Sequence, residues 1–412
     1  MKILLAHGRL SGQGGAERYI REIGAPLAEH GHRLEYLTTQ GEAVADWVNG
    51  GIHTIPPSLG WRSGRRKLDE LQRILAAAKP DLIYIHNLKA FLSPLLVDAL
   101  IRSAPSVFFV HDVRLFCPNE TKIIPAGGHP CAAPSGIACL KGNCCRLAHE
   151  TPLEAWRRSA YVLWQLRVCR RAERFVAPSQ YIAGELARNG VRPERITVLP
   201  YFTERRPPPK PPDPDGAVLW VGRFDGTKGF DSFARMLAAL GRESCRAAVV
   251  GDGAGLEAAR RLVESLGISS RVSFLGRLGD RDLDSWYSRS RIVVLTSMVA
   301  ESFCMVGVEA MAHGRPVVAF DVGGIREWLE DGATGLAVRP GDISALAAAV
   351  RGLLDDPRLA ARFGERGRAL VDSRFRLSSV LPGLLSTFDE ARRERNGLGR
   401  RALVGRAGSA WS

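Results

Sequence analysis

Short apolar runs alternate with longer amphipathic segments along most of this chain. Such runs are typical of buried β-strands, and the segments between them have the spacing of helices packed on a sheet. The alternation therefore predicts an α/β protein with parallel strands joined by helical crossovers. The predicted strands are Ile3–Ala6, Leu34–Thr38, Leu82–Ile85, Val107–Val110, Phe175–Ala177 and Thr197–Leu199 in the first half, and Val218–Val221, Ala247–Val250, Val272–Leu275, Ile292–Leu295 and Val317–Phe320 in the second.

A proline-rich segment separates the two sets of predicted strands. Residues 206–214 contain six prolines, which fit neither a helix nor a central strand and indicate a semi-rigid linker. We predict an N-terminal domain over 1–202, a linker over 203–215, a C-terminal domain over 216–385 and a basic helix or tail over 386–412. Ligands of parallel sheets bind beyond the carboxyl ends of the strands, so two linked sheets indicate a cleft between the domains.

Composition and charge narrow the class of protein. The 412 residues are 45% hydrophobic with a net charge of +14, and no apolar run approaches the length of a membrane span. The apolar run after Lys2 is too short for a secretory signal, which predicts a cytoplasmic protein. The charge fits nucleic acid, an anionic lipid surface, an anionic substrate or merely solvated helix faces. Few aromatic residues lie among the basic ones, which argues against nucleic acid. The basic clusters are Arg62, Arg65, Arg66 and Lys67, then Arg167, Arg170, Arg171 and Arg174, then residues 392–406.

A glycine-bearing loop, residues 222–229, follows the predicted strand Val218–Val221 and precedes a helical stretch from Phe230. A strand-to-helix turn of this kind directs backbone N–H groups at an anion. Arg223 offers a planar fork to phosphate oxygens and Lys228 a mobile point charge. The Walker pattern GxxxxGK[ST] is absent. The loop predicts a phosphate site, and the alternative is an ordinary turn with solvated charges.

Two glutamates follow the predicted strand Ile292–Leu295. If a helix begins near Met305, Glu309 lies in its first turns and the amides of residues 304–307 point at an anion. A carboxylate such as Glu301 or Glu309 can accept two hydrogen bonds from a sugar diol. The alternative is a pair of surface glutamates. Residues 321–327 and 7–17 form further glycine-bearing loops, and the latter lacks GxGxxG, which disfavours dinucleotide binding.

Together these motifs resemble the retaining family-4 glycosyltransferases of the GT-B fold, and the resemblance runs over most of the chain. It implies two Rossmann-like domains whose parallel sheets face an interdomain cleft. It also implies a metal-independent hexosyltransferase that needs no cofactor. The motifs are Gly14-Gly-Ala-Glu17, His111-Asp112, Ala177-Pro-Ser179, Val221-Gly-Arg-Phe224 with Lys228-Gly229, Gly251-Asp-Gly253, Val272–Gly276, Glu301-x7-Glu309, Gly323-Gly324 and Thr334-Gly335.

The resemblance also implies roles for individual residues. Arg223 and Lys228 would neutralise the diphosphate of a nucleotide-sugar donor, Glu301 would bind the transferred sugar and Glu309 the ribose. His111 would contact the donor sugar or the acceptor, which would be a glycan, a lipid-linked sugar or a small molecule. The remaining donor-binding positions would be Gly14, Gly15, Gly222, Gly276, Arg277, Phe303, Cys304, Met305 and Val306.

Two positions depart from the family pattern. Cys304 stands where the family usually has glycine, and Tyr201 where it often has asparagine. Neither alters the charged residues, so the same activity is expected. The rival activities on this architecture are sugar-nucleotide epimerisation and phosphorolysis, and a basic nucleic-acid-binding protein is the rival from another class.

Five of the eight cysteines fall within residues 117–145. A cytosolic location disfavours disulfides, and the spacings lack the CxxC pairs of ordinary zinc ribbons. A structural zinc, free thiols and disulfides therefore all remain open, and the insert's position beside His111 suggests an acceptor-side lid. The zinc ligands would be Cys117, Cys131, Cys139 and one of Cys144 and Cys145.

Overall fold

The computed structural model describes residues 1–8, 10, 14–39, 46–55, 63–86, 93–124, 129–141, 150–205, 207–208, 210–213, 215–241 and 245–407. The chain divides into two compact units. The first unit comprises Met1–Leu199 and Leu381–Ser412, and the second comprises Pro200–Val380.

The first unit is built on a parallel sheet with helical crossovers, as the alternating pattern predicts. Seven described strands follow the order β3-β2-β1-β4-β5-β8-β9, and β6 and β7 form a separate antiparallel pair. The strands are β1 Lys2–Ala6, β2 Arg33–Thr39, β3 Gly51–Ile55, β4 Leu82–Ile85, β5 Ser106–Phe109, β6 Ile123–Ile124, β7 His129–Pro130, β8 Arg174–Ala177 and β9 Ile196–Val198. The helices are α1 Gly15–Glu29, α2 Ser63–Ala78, α3 Pro94–Ser103, α4 Ile137–Lys141, α5 Pro152–Cys169 and α6 Gln180–Arg188.

The second unit repeats the same architecture. Its six described strands are parallel in the order β12-β11-β10-β13-β14-β15. The strands are β10 Val218–Val221, β11 Ala247–Val250, β12 Val272–Gly276, β13 Ile292–Leu295, β14 Val317–Phe320 and β15 Gly335–Val338. The helices are α7 Phe230–Leu240, α8 Leu256–Ser265, α9 Asp280–Arg289, α10 Met305–Ala312, α11 Ile343–Asp355 and α12 Pro357–Arg374, followed by α13 Leu377–Ala407.

Every predicted strand is present with its ends within one residue of the prediction. The sequence pattern missed β3 and β15, which are edge strands of the two sheets. The β3 strand is mostly exposed, and β15 begins with Gly335 and is only half-buried in its middle. Neither shows the uniform apolar run by which central strands are recognised, because an edge strand buries less of its surface.

The described part of the proline-rich segment packs on the second unit. The guanidinium of Arg376 donates to the carbonyl oxygens of Thr203 at 2.8 Å and Arg205 at 2.9 Å. The buried Arg315 donates to the carbonyl of Pro211 at 3.1 Å. These bonds satisfy carbonyl groups of the predicted linker and hold it on the second unit, which begins at Pro200 and not after the linker.

The C-terminal helix also differs from the predicted division. α13 runs through the expected boundary at 385, and most of it belongs to the first unit. Phe388 packs edge-on against Tyr84 with ring centroids 5.0 Å apart, and Arg395 pairs with Glu173 at 3.2 Å. Among the described helices, none combines the length and apolar character needed to cross a bilayer.

Candidate functional site

Two loops of the second unit meet because their strands are neighbours. β10 pairs directly with β13, so the loops at their carboxyl ends lie side by side. The Thr296 hydroxyl accepts from the Trp220 indole N–H at 3.1 Å and donates to the Lys228 carbonyl at 3.1 Å. Gly229 has φ +63°, and a Cβ there would lie 1.9 Å from the Thr296 carbonyl oxygen. Glycine and threonine together therefore fix the backbone that carries Lys228.

Lys228 and Glu301 form an ion pair at the meeting point of these loops. The Lys228 Nζ donates to Glu301 Oε1 at 2.6 Å, and the Ser297 hydroxyl donates to the same oxygen. Burial acts against the charge on Lys228, but the Glu301 charge and hydrogen bond outweigh it and raise the pKa of the ammonium. The Lys228 side chain is still 26% exposed. An ammonium that is charged, oriented and partly open is suited to contact an anion.

Arg223 adds a second positive charge to the same site. Its side chain is 71% exposed and pairs with Asp225 at 3.1 Å. Arg223 is close enough to Lys228 for its charge to act against protonation of the lysine. Such an exposed pair is weak in water, so the guanidinium can exchange Asp225 for phosphate oxygens at low cost. The structure thus brings Arg223, Lys228 and Glu301 together, as the sequence predicts.

Glu309 lies on α10, which begins at Met305 as predicted. The carboxylate is buried, with Oε2 accepting from the Tyr287 hydroxyl at 3.0 Å and Oε1 3.8 Å from the Arg205 guanidinium. One hydrogen-bond donor and one nearby positive charge thus stabilise a carboxylate that would otherwise be costly to bury. The sequence did not predict a role for Arg205 or Tyr287. Arg205 lies in the predicted linker, and Tyr287 lies on α9 with no motif around it.

Further charged and polar groups hold Arg205 and the backbone of Glu309 in place. Arg205 pairs with Asp280 at 2.9 Å and also with Asp284. His313 lies 3.3 Å from Asp284, and its Nδ1 is 2.8 Å from the Glu309 carbonyl oxygen. The position of Glu309 is therefore set by a network that links α9, α10 and the proline-rich segment.

Cys304 occupies a strained position at the start of α10. Its φ is +66° at the N-cap, in the left-handed region that favours glycine. Burial, followed by the negative charge of Glu301, raises the pKa of the Cys304 thiol to about 12. The thiol is therefore neutral, and it occupies a position where the related family has glycine for a conformational reason.

The change in stability when Cys304 is replaced should be set by backbone strain and not by the chemistry of the thiol. We expect Cys304→Gly to change the free energy of unfolding by less than about 1 kcal/mol, because relief of the left-handed strain offsets the greater freedom of glycine in the unfolded chain. Cys304→Val should destabilise by about 1–2 kcal/mol more than Cys304→Gly. Denaturant unfolding of both variants tests this. A valine variant as stable as the glycine variant would contradict it.

Backbone neighbours shape the rest of this loop. The buried Phe303 offers its carbonyl oxygen to the Trp328 indole N–H at 2.5 Å, and a Cβ at Gly307 would lie 2.1 Å from that indole. Gly324 N–H donates to the Glu301 carbonyl at 2.7 Å. Met305 and Val306 form the first turn of α10, whose N–H groups lack partners within the helix and are suited to phosphate.

The remaining predicted donor residues of this unit lie along the same sheet edge. Gly222 follows β10, and Gly276 ends β12 with φ +68° and a carbonyl that accepts from Gly251 N–H at 2.8 Å. Arg277 is exposed immediately after it. Their contact with a base or phosphate stays a prediction. Gly14 and Gly15, at the N-cap and first residue of α1, belong to the first unit, and their phosphate role is equally a prediction.

The first unit brings three histidines together. His7, His86 and His111 follow β1, β4 and β5, which are neighbours in the sheet. His86 Nδ1 lies 2.8 Å from His111 Nε2. Burial lowers the pKa of His7 to about 4 and those of His86 and His111 well below the usual value, so all three are neutral near pH 7. Sequence reasoning singled out only His111, although each histidine is among the first residues after a buried strand.

The described part of the cysteine-rich insert is held by polar contacts. Lys122 is buried and pairs with Glu185 of α6 at 3.1 Å. The Cys117 thiol donates to Asn119 Oδ1 at 2.7 Å, and burial raises its pKa, so it stays protonated. Cys131 and Cys139 are half-buried, whereas Cys144 and Cys145 lie outside the described residues. Within the described ranges, no group of three His, Cys, Asp or Glu side chains is placed to bind a metal. The zinc site stays a prediction, because its fourth ligand, Cys144 or Cys145, lies outside those ranges.

Two family models match the chain. Residues 14–201 match the glycosyl transferase 4-like domain, and residues 202–370 match glycosyl transferases group 1. Alpha-D-kanosaminyltransferase from Streptomyces kanamyceticus is 34% identical over 175 residues, which are 42% of this chain and 45% of that protein. D-inositol 3-phosphate glycosyltransferase 2 from Catenulispora acidiphila is 36% identical over 231 residues, or 50% and 54% of the two chains. The chain thus spans about half the length of these relatives.

The structural likeness extends over nearly the whole chain. The crystal structure of Anabaena Alr3699/HepE in complex with UDP and glucose has a TM-score of 0.70 at 20% identity, covering 94% of this chain and 99% of that one. At this identity the likeness shows the fold. Both units are Rossmann-like domains with parallel sheets, in the GT-B class predicted from the sequence.

Proposed function

Because residues 14–201 carry a glycosyl transferase 4-like domain and residues 202–370 a glycosyl transferases group 1 domain, we propose that this protein is a retaining glycosyltransferase that uses a nucleotide-diphosphate hexose. The observation that carries the proposal is the oriented Lys228–Glu301 pair beside the exposed Arg223, with Glu309 held by Tyr287. That arrangement offers cations for a diphosphate and carboxylates for hydroxyl groups.

In the proposed reaction, the bond between the anomeric carbon and the donor phosphate oxygen breaks, and its electron pair leaves with the nucleoside diphosphate. The acceptor hydroxyl oxygen bonds to the same carbon from the same face and loses its proton to the departing phosphate. Negative charge grows on the diphosphate as the bond breaks, so the fixed ammonium of Lys228 and the guanidinium of Arg223 lower the barrier. Two such cations supply the charge that a divalent metal would otherwise provide, and we propose no catalytic metal.

The carboxylates divide the recognition of the donor. Glu309 binds the ribose hydroxyls, and Glu301 binds the hydroxyls of the transferred sugar while it orients Lys228. His111, neutral and hydrogen-bonded to His86, contacts the donor sugar or the acceptor from the first unit. The acceptor is a glycan, a lipid-linked sugar or a small molecule, and we propose a cytoplasmic enzyme that associates peripherally with an anionic membrane.

A product assay tests the proposal. The purified chain is incubated with UDP- and GDP-sugars in the presence and absence of mixed acceptors. Glycosyl transfer releases the nucleoside diphosphate and produces a glycosylated acceptor with the anomeric configuration of the donor. Isomerised donor would identify an epimerase instead, and sugar phosphate formed only with added inorganic phosphate would identify a phosphorylase. Transfer with inverted configuration would overturn retention alone.

A zinc in the cysteine-rich insert is a separate proposal, with Cys117, Cys131, Cys139 and one of Cys144 and Cys145 as its ligands. We expect about one zinc per chain by elemental analysis, and chelation should expose residues 117–145 to limited proteolysis because metal binding supplies folding free energy. Donor binding should persist after chelation. Metal-free protein with an equally protected insert would leave these thiols as packing groups, consistent with the protonated Cys117.

A further inference from the structure

The outward side of α4 and α5 exposes an unusual number of large apolar side chains. Among the described residues, seven large hydrophobic side chains are exposed, and five of them lie on these two helices. α4 packs against α5, so the five form one surface of the first unit. We call this surface the α4–α5 face, defined by Ile137, Leu153, Trp156, Tyr161 and Trp164, which are 68%, 54%, 51%, 37% and 45% exposed.

The spacing along α5 makes the face continuous. Leu153 and Trp156 are three residues apart, and Trp164 lies eight residues after Trp156, so all three return to the same side of the helix. The opposite side of α5 is buried through Ala155, Val162 and Leu166. One side of the helix therefore packs in the protein core, while the other side exposes two tryptophans to solvent. Exposed apolar patches of this kind mark interaction sites.

Positive charge lies next to this apolar surface. Arg167 and Arg170 are exposed and make no ion pair with any carboxylate in the part of the chain that the structure describes. By contrast, their neighbours Arg158 and Arg171 pair with Glu150 and Asp98. Arg167 and Arg170 also line a cavity of about 480 Å³ together with Ser135, Leu163, Trp164 and Leu166. The cavity is thus lined both by these two arginines and by the exposed Trp164.

This combination matches the surface of an anionic bilayer better than it matches other partners. Tryptophan and tyrosine rings settle at the level of lipid headgroups, and a helix with an apolar face beside arginines lies in the plane of the interface. Arginine binds phosphate with a bidentate fork. Nucleic acid would also attract the arginines and could stack on the rings, but Ile137 and Leu153 offer it nothing.

We propose that the α4–α5 face docks on an anionic phospholipid bilayer, with Trp156 and Trp164 in the headgroup region and Arg167 and Arg170 on lipid phosphates. The sequence places the arginines in a cluster poor in aromatic residues, because the tryptophans lie about one to four helical turns earlier in the chain. The helix brings both onto one surface. The inference rests on the peripheral membrane association proposed above and assigns it to a surface of the first unit, but it does not depend on the proposed sugar transfer.

Co-sedimentation of the full chain with vesicles tests the charge. Vesicles of phosphatidylcholine alone are compared with vesicles that also contain phosphatidylglycerol. Binding should require phosphatidylglycerol and fall as salt rises. Arg167→Gln with Arg170→Gln should weaken binding roughly 20- to 30-fold, since each basic residue near the surface contributes about 1 kcal/mol and 1.4 kcal/mol is tenfold. The matched control, Arg358→Gln with Arg362→Gln on α12, removes the same charge from exposed positions and should change binding less than about threefold.

The aromatic side chains need a separate variant. Brominated phosphatidylcholine mixed into the anionic vesicles should quench the fluorescence of the wild-type protein, and Trp156→Ser with Trp164→Ser should abolish most of that quenching and lower binding. Both tryptophans are half-exposed, so the variant should keep its circular dichroism and thermal transition. Equal binding to neutral and anionic vesicles, or unchanged binding of the tryptophan variant, would overturn the proposal. A concentration-dependent dimer that the tryptophan variant abolishes would assign the face to a second copy instead, and salt-sensitive oligonucleotide binding that depends on both tryptophans would assign it to nucleic acid.

Discussion

Replacing Lys228 with alanine should lower kcat/KM by roughly 100-fold or more, a loss of about 2.7 kcal/mol of transition-state stabilisation. The ammonium is already charged and oriented by Glu301 at 2.6 Å, so no rearrangement is needed as charge develops on the diphosphate. The loss should fall mainly on kcat, because the diphosphate carries more charge in the transition state than in the bound donor. Steady-state kinetics with the sugar nucleotide identified by the product assay would measure both constants.

The Glu301 carboxylate supplies the control for this variant. Lys228→Ala leaves Glu301 with the Ser297 hydroxyl but without its cation, so part of the loss could come from a stranded negative charge. The double variant Lys228→Ala with Glu301→Gln removes that charge. If lysine acts on the diphosphate, the double variant is at least as slow as the single one, because it also loses the proposed contact of Glu301 with the transferred sugar. Recovery of turnover in the double variant, or near-wild-type turnover in a folded Lys228→Ala protein, would contradict the role given to Lys228.

The central strands could be predicted because they are buried on both faces. Each central strand is a uniform apolar run, as at Ile83, Val293 and Val317. Such a run is needed only where helices cover both faces of the strand. The edge strands β3 and β15 lack this signal, since β3 is mostly exposed and β15 begins with Gly335 and is only half-buried in its middle. The unit boundary was missed for a related reason. The prolines predict extended backbone, but nothing local shows that Arg315 and Arg376 bind its carbonyl groups from positions more than a hundred residues away.

The site shows the same division between local and long-range information. Arg223, Lys228, Glu301 and Glu309 were identified because each follows a buried strand, and strand order then decides which loops meet. Tyr287 and Arg205 orient Glu309 from segments without any recognisable pattern. The strained backbone at Cys304 is a further case, because a cysteine does not by itself predict a positive φ, and only the family's usual glycine at this position pointed to it.

Removing the charge of Glu309 and removing that of Glu301 should impair different steps, the first nucleotide binding and the second turnover. Glu309→Gln should weaken binding of the bare nucleoside diphosphate about tenfold, since a carboxylate that accepts hydrogen bonds from a ribose diol contributes on the order of 1.5 kcal/mol or more. Glu301→Gln should bind the same diphosphate at least as tightly as wild type, because Lys228 no longer shares its charge with Glu301. Isothermal titration with UDP, or with GDP if UDP does not bind, measures both.

With the full donor, Glu301→Gln should be the variant with the larger loss of turnover. Glu301→Gln should lose roughly 100-fold in kcat, because the carboxylate is proposed both to hold the transferred sugar and to orient Lys228. Glu309→Gln should lose mainly in KM, since its proposed contact with ribose is the same before and during transfer. Glu257→Gln on α8, which is exposed and pairs with Arg260 at 3.7 Å, removes the same charge outside the site and should leave both measurements unchanged. If both site variants bound the diphosphate as wild type does, Glu309 would have no role at the ribose. Loss of diphosphate binding in Glu301→Gln would instead place that carboxylate, and not Glu309, at the nucleotide.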